Sequence, residues 1–408
     1  MRINTKTLDL EKQILNSKNI LFIQDIDGVC IPLVKDPMTR KINKEYIIAA
    51  NKLNDEFFVL TCGEHEGKRG VNRIIERSLG EESSARENGL YLRGLAACGV
   101  EYQNNKGVIN FEGVSQRELN FLSEVPEIMC TKFRHIVREL FPEMDNHMID
   151  FHMKKSICDT RFSPTINFNS LFEIEKNNSY KRREIQNIFE KMMNELISLG
   201  DSLGLENSFF LHISPNLGSK NGKEIIKEST NNDIGSTDIQ LLIKGALKDA
   251  GVLFLLNKFI GNKTGKKPFG EKFNFKKAPK NHKDKIAFCK KYIKPEDMPL
   301  IIGVGDTVTS QRDPNNDSFF RGGSDRSFLE LIQLIGFEYG IKNNIIFVDS
   351  SYGEVFRPSI KETGLEGITD IKDNLKFDLI FKNGPQEYIN WFINMANKRY
   401  LIKNKKYY

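Results

Sequence analysis

The chain has 408 residues, enough for a substantial core and two domains. With 39% hydrophobic and 28% charged residues it has an ordinary globular composition, which argues against disorder. A net charge of +6 without a long basic block argues against a nucleic-acid binder and fits a pocket for small anions.

No run approaches the roughly 20 apolar residues that span a bilayer, so no membrane is expected. Met1 to Lys18 lacks the continuous apolar core of a signal peptide, and the expected compartment is the cytoplasm. The six cysteines, at 30, 62, 98, 130, 158 and 289, show no CxxC pair and read as reduced core thiols.

Residues 5–17 carry Leu8, Leu10, Ile14 and Leu15 among charges, which predicts a short helix. Ile20 to Ile23 is an apolar run of the kind expected for a buried strand. It ends in Asp25 and Asp27, one residue apart, followed by Gly28. Residues i and i+2 of an extended chain share a side, so both acids can face one pocket at a strand end. Their mutual repulsion calls for a divalent cation. Asp-x-Asp-Gly also forms solvated turns, and it opens Ca²⁺ loops, but here Val29, Ile31 and Leu33 stand where later acids would be needed.

Tyr46 to Leu53 predicts a crossover helix, and Phe57 to Leu60 a second strand ending at Thr61. The following loop, Cys62-Gly63-Glu64-His65-Glu66-Gly67-Lys68-Arg69-Gly70, offers backbone N–H groups and two cations, features shared by phosphate sites and by plain surface loops. Gly89 to Tyr102 predicts one or two more strands. From about Glu112 to Gln240 the texture changes to that of an inserted mixed domain. It holds an amphipathic helix at Arg182–Leu199, a strand at Ser208–Ile213 and a turn at Ser214–Gly218. Lys244 to Lys248 leads into an apolar helix, Ala250–Phe259, and Gly261–Lys285 reads as a basic surface excursion. Pro299 to Thr307 is an apolar strand running into Gly305 and Asp306, a carboxylate able to complete a metal site begun by Asp25 and Asp27. Arg312–Phe320 reads as a loop, and Ser324 or Asp325 as a cap for the helix containing Phe328, Leu331, Ile332 and Ile335. Strands at 345–348 and 377–381 and a helix at 385–398 close the chain. The alternation predicts a parallel α/β sheet.

An Asp-x-Asp-Gly strand end, a Thr strand end, a Lys at a helix start and a Gly-Asp strand end, in this order, resemble the haloacid dehalogenase-like phosphatases. Within them, the stretches 24–30, 63–70, 207–212, 248–252 and 299–311 are similar to the glucosylglycerol-3-phosphate phosphatase family. The resemblance implies a Rossmannoid core, 1–111 plus 241–408, with an inserted α/β cap of the C2 type at 112–240. It implies Mg²⁺ as cofactor and phosphate release from glucosylglycerol 3-phosphate, in making a compatible solute for salt tolerance. Asp25 would be the nucleophile and Asp27 the acid and base, a role in which Asp27 starts as the neutral acid. Thr61 and Lys248 would hold phosphoryl oxygens, with Lys244 and Lys223 as alternatives to Lys248. The metal would lie on Asp25, the backbone carbonyl of Asp27, and Asp306. The family's second acid falls at Ser310 here, so Asp325 is expected as its displaced equivalent, a metal ligand or a group just behind the metal, with Asp313 as competitor.

The sugar is expected to be read by the cap and by the loop after Thr61, where Gly63, Glu64, His65, Lys68 and Arg69 are candidates, while His212 is expected to belong to the cap fold. Phosphatases of trehalose or sucrose phosphate are the nearest rivals. A non-catalytic regulator bound to a glucosylglycerol-phosphate synthase is a rival of another class.

Overall fold

The computed structural model describes residues 5–80 and 82–405. The first strands are β1 Ile20–Gln24, β2 Phe57–Leu60, β3 Gly94–Ala96, β4 Glu101–Gln103 and β5 Ile109–Asn110. The middle of the chain supplies β6 Ile157–Cys158, β7 Thr165–Asn167, β8 Phe209–Ser214, β9 Asn216–Lys220, β10 Lys223–Ile226 and β11 Asp238–Ile243. The last part supplies β12 Leu300–Gly305, β13 Thr309–Arg312, β14 Phe319–Gly322, β15 Asn344–Val348 and β16 Leu379–Phe381.

Eight strands form one sheet in the order β16-β15-β12-β1-β2-β3-β4-β5. Neighbours run parallel from β16 to β3, and β4 and β5 extend the edge antiparallel. The fold is mixed α/β with a parallel-dominated sheet, as expected. β1 sits inside this sheet. Its Ile20 and Phe22 pack with Tyr46, Tyr388 and Phe392, while Leu21 and Ile23 pack with Leu253, Leu256 and Phe328 on the opposite face. Cover on both faces is why the run is apolar throughout rather than alternating. Because β1 lies between β12 and β2, Asp25, Thr61 and Asp306 all emerge at the carboxyl edge of adjacent strands.

A second, antiparallel sheet runs β6-β7-β11-β8. Two long helices cover one of its faces, Gln116–Leu140 and Ser179–Ser202. Ser115 and Glu118 form a reciprocal cap at the first helix, and Asn178 caps the second through Lys181 N–H, satisfying donors that a helix start leaves open. Phe121, Met129, Phe133, Ile185, Phe189 and Met193 meet Ile166, Ile213 and Ile239 of the strands in one apolar cluster. The last strand of this sheet, β11, continues past residue 240 to Ile243.

Four local expectations need correction. Ser214–Gly218 is not simply a turn: after the cis bond to Pro215 the chain enters β9, paired with β10. Arg312–Phe320 is not a plain loop, because its two ends pair as the hairpin β13–β14. Both hairpins are polar since they project outward, so composition alone imitates a loop. They meet at glycines, where a Cβ on Gly322 would lie 2.0 Å from Gly218 N and one on Gly218 2.2 Å from Arg321 O. Gly261–Lys285 is only partly a surface excursion: Phe273 and Phe275 are buried, and the Lys285 ammonium is buried against Asp249 at 2.9 Å. A buried opposite charge lets the lysine go inside, which sequence charge does not reveal. Finally, Cys62 and Cys98 form a disulfide rather than two free thiols. Their partner strands β2 and β3 are parallel neighbours, a proximity that a separation of 36 residues hides. Cys30, Cys130, Cys158 and Cys289 are free thiols. Among the described residues no helix is long and apolar enough to cross a membrane.

Candidate active site

Asp25 follows β1 directly, and its N–H donates to Val304 O of β12. One carboxylate oxygen accepts from Ile26 N–H at 2.8 Å and the other meets Lys248 Nζ at 2.7 Å. Lys248 is the first residue of the helix Lys248–Thr264, so the positive end of that helix and the ammonium point at one place. Lys248 Nζ also donates to Asp325 Oδ1 at 2.6 Å. Burial opposes the charge of Lys248, but Asp25 and Asp325 outweigh it and hold its pKa above the usual lysine range. Burial raises the pKa of Asp25 well above the carboxylate range, with Lys248 opposing and Asp325 and Asp306 adding to the rise.

Asp325 stands at the cap position of the helix Arg326–Tyr339 but makes no side-chain cap bond. Its Oδ2 accepts from Asp306 N–H and Thr307 N–H, both at 2.9 Å. Asp325 therefore fixes the loop carrying Asp306 and orients Lys248. A Cβ on Gly305 would meet Asp325 Oδ2 at 2.7 Å, so a glycine is required there. Asp306 differs. Both its oxygens are buried without a hydrogen-bond partner. Burial and Asp325 push its pKa up to about 7, against Ser350, Arg357 and Lys248. Asp25, Asp306 and Asp325 offer carboxylate oxygens within 4.8 Å of one another. Two unsatisfied buried oxygens among three acids fit a small hard cation that binds oxygen.

The other expected residues divide. Thr61 is buried, and Gly63 N–H donates to its hydroxyl at 3.3 Å. With Asp25, Asp27, Gly63 and Lys248 it lines a cavity of about 200 Å³ between the two sheets. The Asp27 side chain does not join the acid cluster. Arg40 engages both its oxygens, at 2.9 and 3.2 Å. Lys244 is exposed and bonds Asn207, Lys223 is exposed on β10, and Asp313 turns onto Asn315 and Asn316 in its own hairpin. None of these three is in the acid–lysine cluster. Ser310 donates to Asp370, which also pairs with Arg321.

In the loop after Thr61, Glu64 lines the cavity but spends its carboxylate elsewhere. It accepts from the N–H groups of Arg161, Phe162 and Ser163 and from the Ser163 hydroxyl. Arg69 also lines the cavity and reaches Asp159 at 2.6 Å and Lys154 O at 2.7 Å. His65 is fully buried beside Gly94 O, its pKa lowered to about 4 by burial, and Lys68 is exposed. Neither lines the cavity. His212 lies in β8, where Glu224 accepts from Nδ1 at 3.0 Å. Arg40 and Arg357 line the cavity and were not anticipated. Neither follows a strand end, so no motif marks them.

His65 N–H donates to Glu101, whose pKa is pushed up to about 8 by burial, with Glu64 adding to the rise. The folded state therefore holds this proton more tightly than the unfolded chain. The resulting stability is complete below pH 4.5 and is lost as pH rises toward about 8. Glu101→Gln, uncharged throughout, is expected to flatten the fall of melting temperature across that window. A difference between the two proteins that stayed constant with pH would refute this.

Three carboxylates and a lysine cluster at the carboxyl edge of a parallel sheet, with Asp25 and Lys248 lining the cavity, and form a centre suited to phosphoryl chemistry. A family model described as glucosylglycerol-phosphate phosphatase matches residues 19–396. The chain belongs to that family. The glucosylglycerol-phosphate phosphatase of Synechocystis sp. is 40% identical over 396 residues, covering 94% of each protein. Among solved structures, the C-terminal domain of Candida albicans trehalose-6-phosphate phosphatase is 12% identical, covers 95% of this chain and 97% of its own, and has a TM-score of 0.44. For the Aspergillus fumigatus trehalose-6-phosphate phosphatase the identity is 10%, the coverage 96% and 97%, and the TM-score 0.37.

Proposed function

We propose that this protein hydrolyses glucosylglycerol 3-phosphate to glucosylglycerol and phosphate. In this reading the eight-stranded sheet is a haloacid dehalogenase-like core and the second sheet an inserted C2-type cap. The observation that carries it is Lys248 bridging Asp25 and Asp325 beside the unsatisfied Asp306, in a chain of this family.

Asp25 attacks phosphorus in line. A bond forms from its carboxylate oxygen to phosphorus, and the bond to the glycerol oxygen breaks. This divides a very slow hydrolysis into two easier displacements. The leaving oxygen takes a proton from Asp27, which later accepts one from the water that releases phosphate and restores Asp25. Asp27 can do this only when Arg40 lets go of it and it has taken up a proton from solvent, so Arg40 holds Asp27 in reserve until the substrate phosphate offers the guanidinium another anion. Lys248 and the Thr61 hydroxyl hold the phosphoryl oxygens, and Asp325 keeps Lys248 aimed.

Asp25, the Asp27 carbonyl and Asp306 would hold Mg²⁺, which when bound neutralises charge between the attacking acid and the phosphate. Asp325 acts beside them as a positioning residue, its oxygens already taken. The product is then a compatible solute made in the cytoplasm for salt tolerance, downstream of a glucosylglycerol-phosphate synthase.

The test is phosphate release from a panel of sugar phosphates. Glucosylglycerol 3-phosphate is expected to be fastest. A chelator should slow it by at least about a hundredfold, reversed by added Mg²⁺. Equal rates on trehalose and sucrose phosphates would overturn the substrate. Full activity in chelator would overturn the metal.

A further inference from the structure

The disulfide between Cys62 and Cys98 stands where two parts of the acid–lysine centre meet. Cys62 directly follows Thr61 and lines the cavity, while Cys98 is buried in the short turn Ala97–Gly99. Ala97 N–H donates to Gly63 O at 2.6 Å and Cys98 N–H to Thr61 O at 3.0 Å. The same turn seats the helix that begins at Lys248: a Cβ on Gly99 would lie 3.4 Å from Leu247 O and 3.7 Å from Gly251 Cα. The covalent bond therefore ties the Thr61 loop to the support of Lys248. It also spans an unfavourable stretch of backbone. Ala97 at φ 47° and Cys98 at φ 53° are successive non-glycine residues in the left-handed region, a conformation that persists only where its surroundings impose it.

The second layer adds a third group. His212 Nε2 lies 3.8 Å from Cys62 Sγ. The Nδ1–H of this ring is donated to Glu224, so Nε2 is left as the nitrogen with a free lone pair, and it faces the sulfur. A disulfide sulfur has no proton to offer that nitrogen, whereas a Cys62 thiol has one. The remaining cysteines are of another kind: burial raises the thiol pKa of Cys30, Cys130, Cys158 and Cys289, which keeps them unreactive.

We propose that Cys62 and Cys98 form a reversible thiol–disulfide switch on the phosphoryl centre, active as the disulfide and slackened as the dithiol, with His212 taking the proton of Cys62. The co-reactant is a dithiol. One of its thiolates attacks the Cys62 sulfur from the cavity; the S–S bond breaks, and Cys98 leaves as a thiolate that takes up a proton. The second sulfur of the dithiol then attacks the first, Cys62 is released, and the dithiol ends as a disulfide, its electron pair passed to the protein. Re-formation reverses these steps and begins when His212 accepts the Cys62 proton. Without the bond, the turn at 97–99 is free to leave its left-handed conformation, and Thr61 and Lys248 lose their common anchor.

The experiment equilibrates the protein with reduced and oxidised dithiothreitol in varied ratio. Free thiols are alkylated in denaturant and counted by intact mass, and phosphate release from glucosylglycerol 3-phosphate is measured on parallel aliquots. As the count passes from four free thiols to all six, kcat is expected to fall about tenfold, the scale of slightly misplaced binding groups, and to return on reoxidation. Cys98→Ser is expected to hold the low rate at every ratio. His212→Gln, which keeps a donor for Glu224, is expected to match the oxidised rate within about twofold and to re-form the disulfide about tenfold more slowly. A rate independent of the thiol count, six free thiols at every ratio, or a Cys98→Ser protein that still responds to dithiol would overturn the switch. Re-formation as fast in His212→Gln as in the wild type would overturn the part given to the histidine.

Discussion

Asp25→Asn is expected to slow phosphate release by at least about 10⁴-fold, the scale of losing a group that forms and breaks a covalent bond. The amide has nearly the same shape, but its single oxygen can accept from only one of Ile26 N–H and Lys248, which use different oxygens of Asp25. What disappears is the anionic oxygen able to bond phosphorus. Stability should move the other way. Asp25 is buried beside Asp306 and Asp325, and burial alone disfavours its charge. An uncharged residue there removes that penalty, at the loss of one of the two carboxylates holding Lys248. Melting temperature is therefore expected to hold or rise while turnover collapses, the pattern of a site kept for chemistry rather than for folding. Phosphate-release rates and thermal melts on the same preparations check both halves. Turnover within tenfold of the wild type would dismiss Asp25 as nucleophile.

Gly28→Ala should be nearly as damaging, for a steric reason. Gly28 has φ +81°, and a Cβ there would lie 2.1 Å from Asp306 Oδ2 and 2.3 Å from its Cγ. No real Cβ tolerates such contacts, so Asp306 must leave its position. A loss of turnover of at least about a hundredfold follows if Asp306 completes the cation site, together with a backbone penalty of about 1 kcal/mol. Gly80→Ala separates the two effects. Gly80 has φ +84° and nothing within 4 Å of its virtual Cβ. It carries the same backbone penalty without the clash. Gly80→Ala should lose a comparable few degrees of melting temperature and keep full turnover; if both variants lost activity alike, the clash with Asp306 would not be the cause.

What could be read from the chain follows from how local each signal is. The β1 run is legible because a strand covered on both faces needs apolar side chains at every position, and the acids that follow it are marked by that run. Asp306 is legible for the same reason. Lys248 could not be separated from Lys244 by sequence, since both precede the same apolar helix. Only the fold shows Lys248 buried against two carboxylates while Lys244 faces solvent. Asp325 was reachable only as a helix cap or a displaced acid, because its true contacts are backbone N–H groups 18 and 19 residues away. Arg40 reaches Asp27 through a loop with no periodicity of its own. His65 shows the opposite failure: it stands in a loop that looks functional and is spent on packing.

The Glu64 contact has a mechanical consequence. Its carboxylate draws four donors from Arg161 to Ser163, on the segment between β6 and β7 of the second sheet. Parting the layers at that spot would strand a buried acid with neither water nor donors. Elsewhere the layers are joined by the solvent-facing pair Lys35–Glu173 at 2.8 Å and by Gly323 N–H donating to Asn216 Oδ1 at 3.1 Å, links whose loss leaves no charge in a dry site. Separation of the layers is therefore expected to be costliest at Glu64.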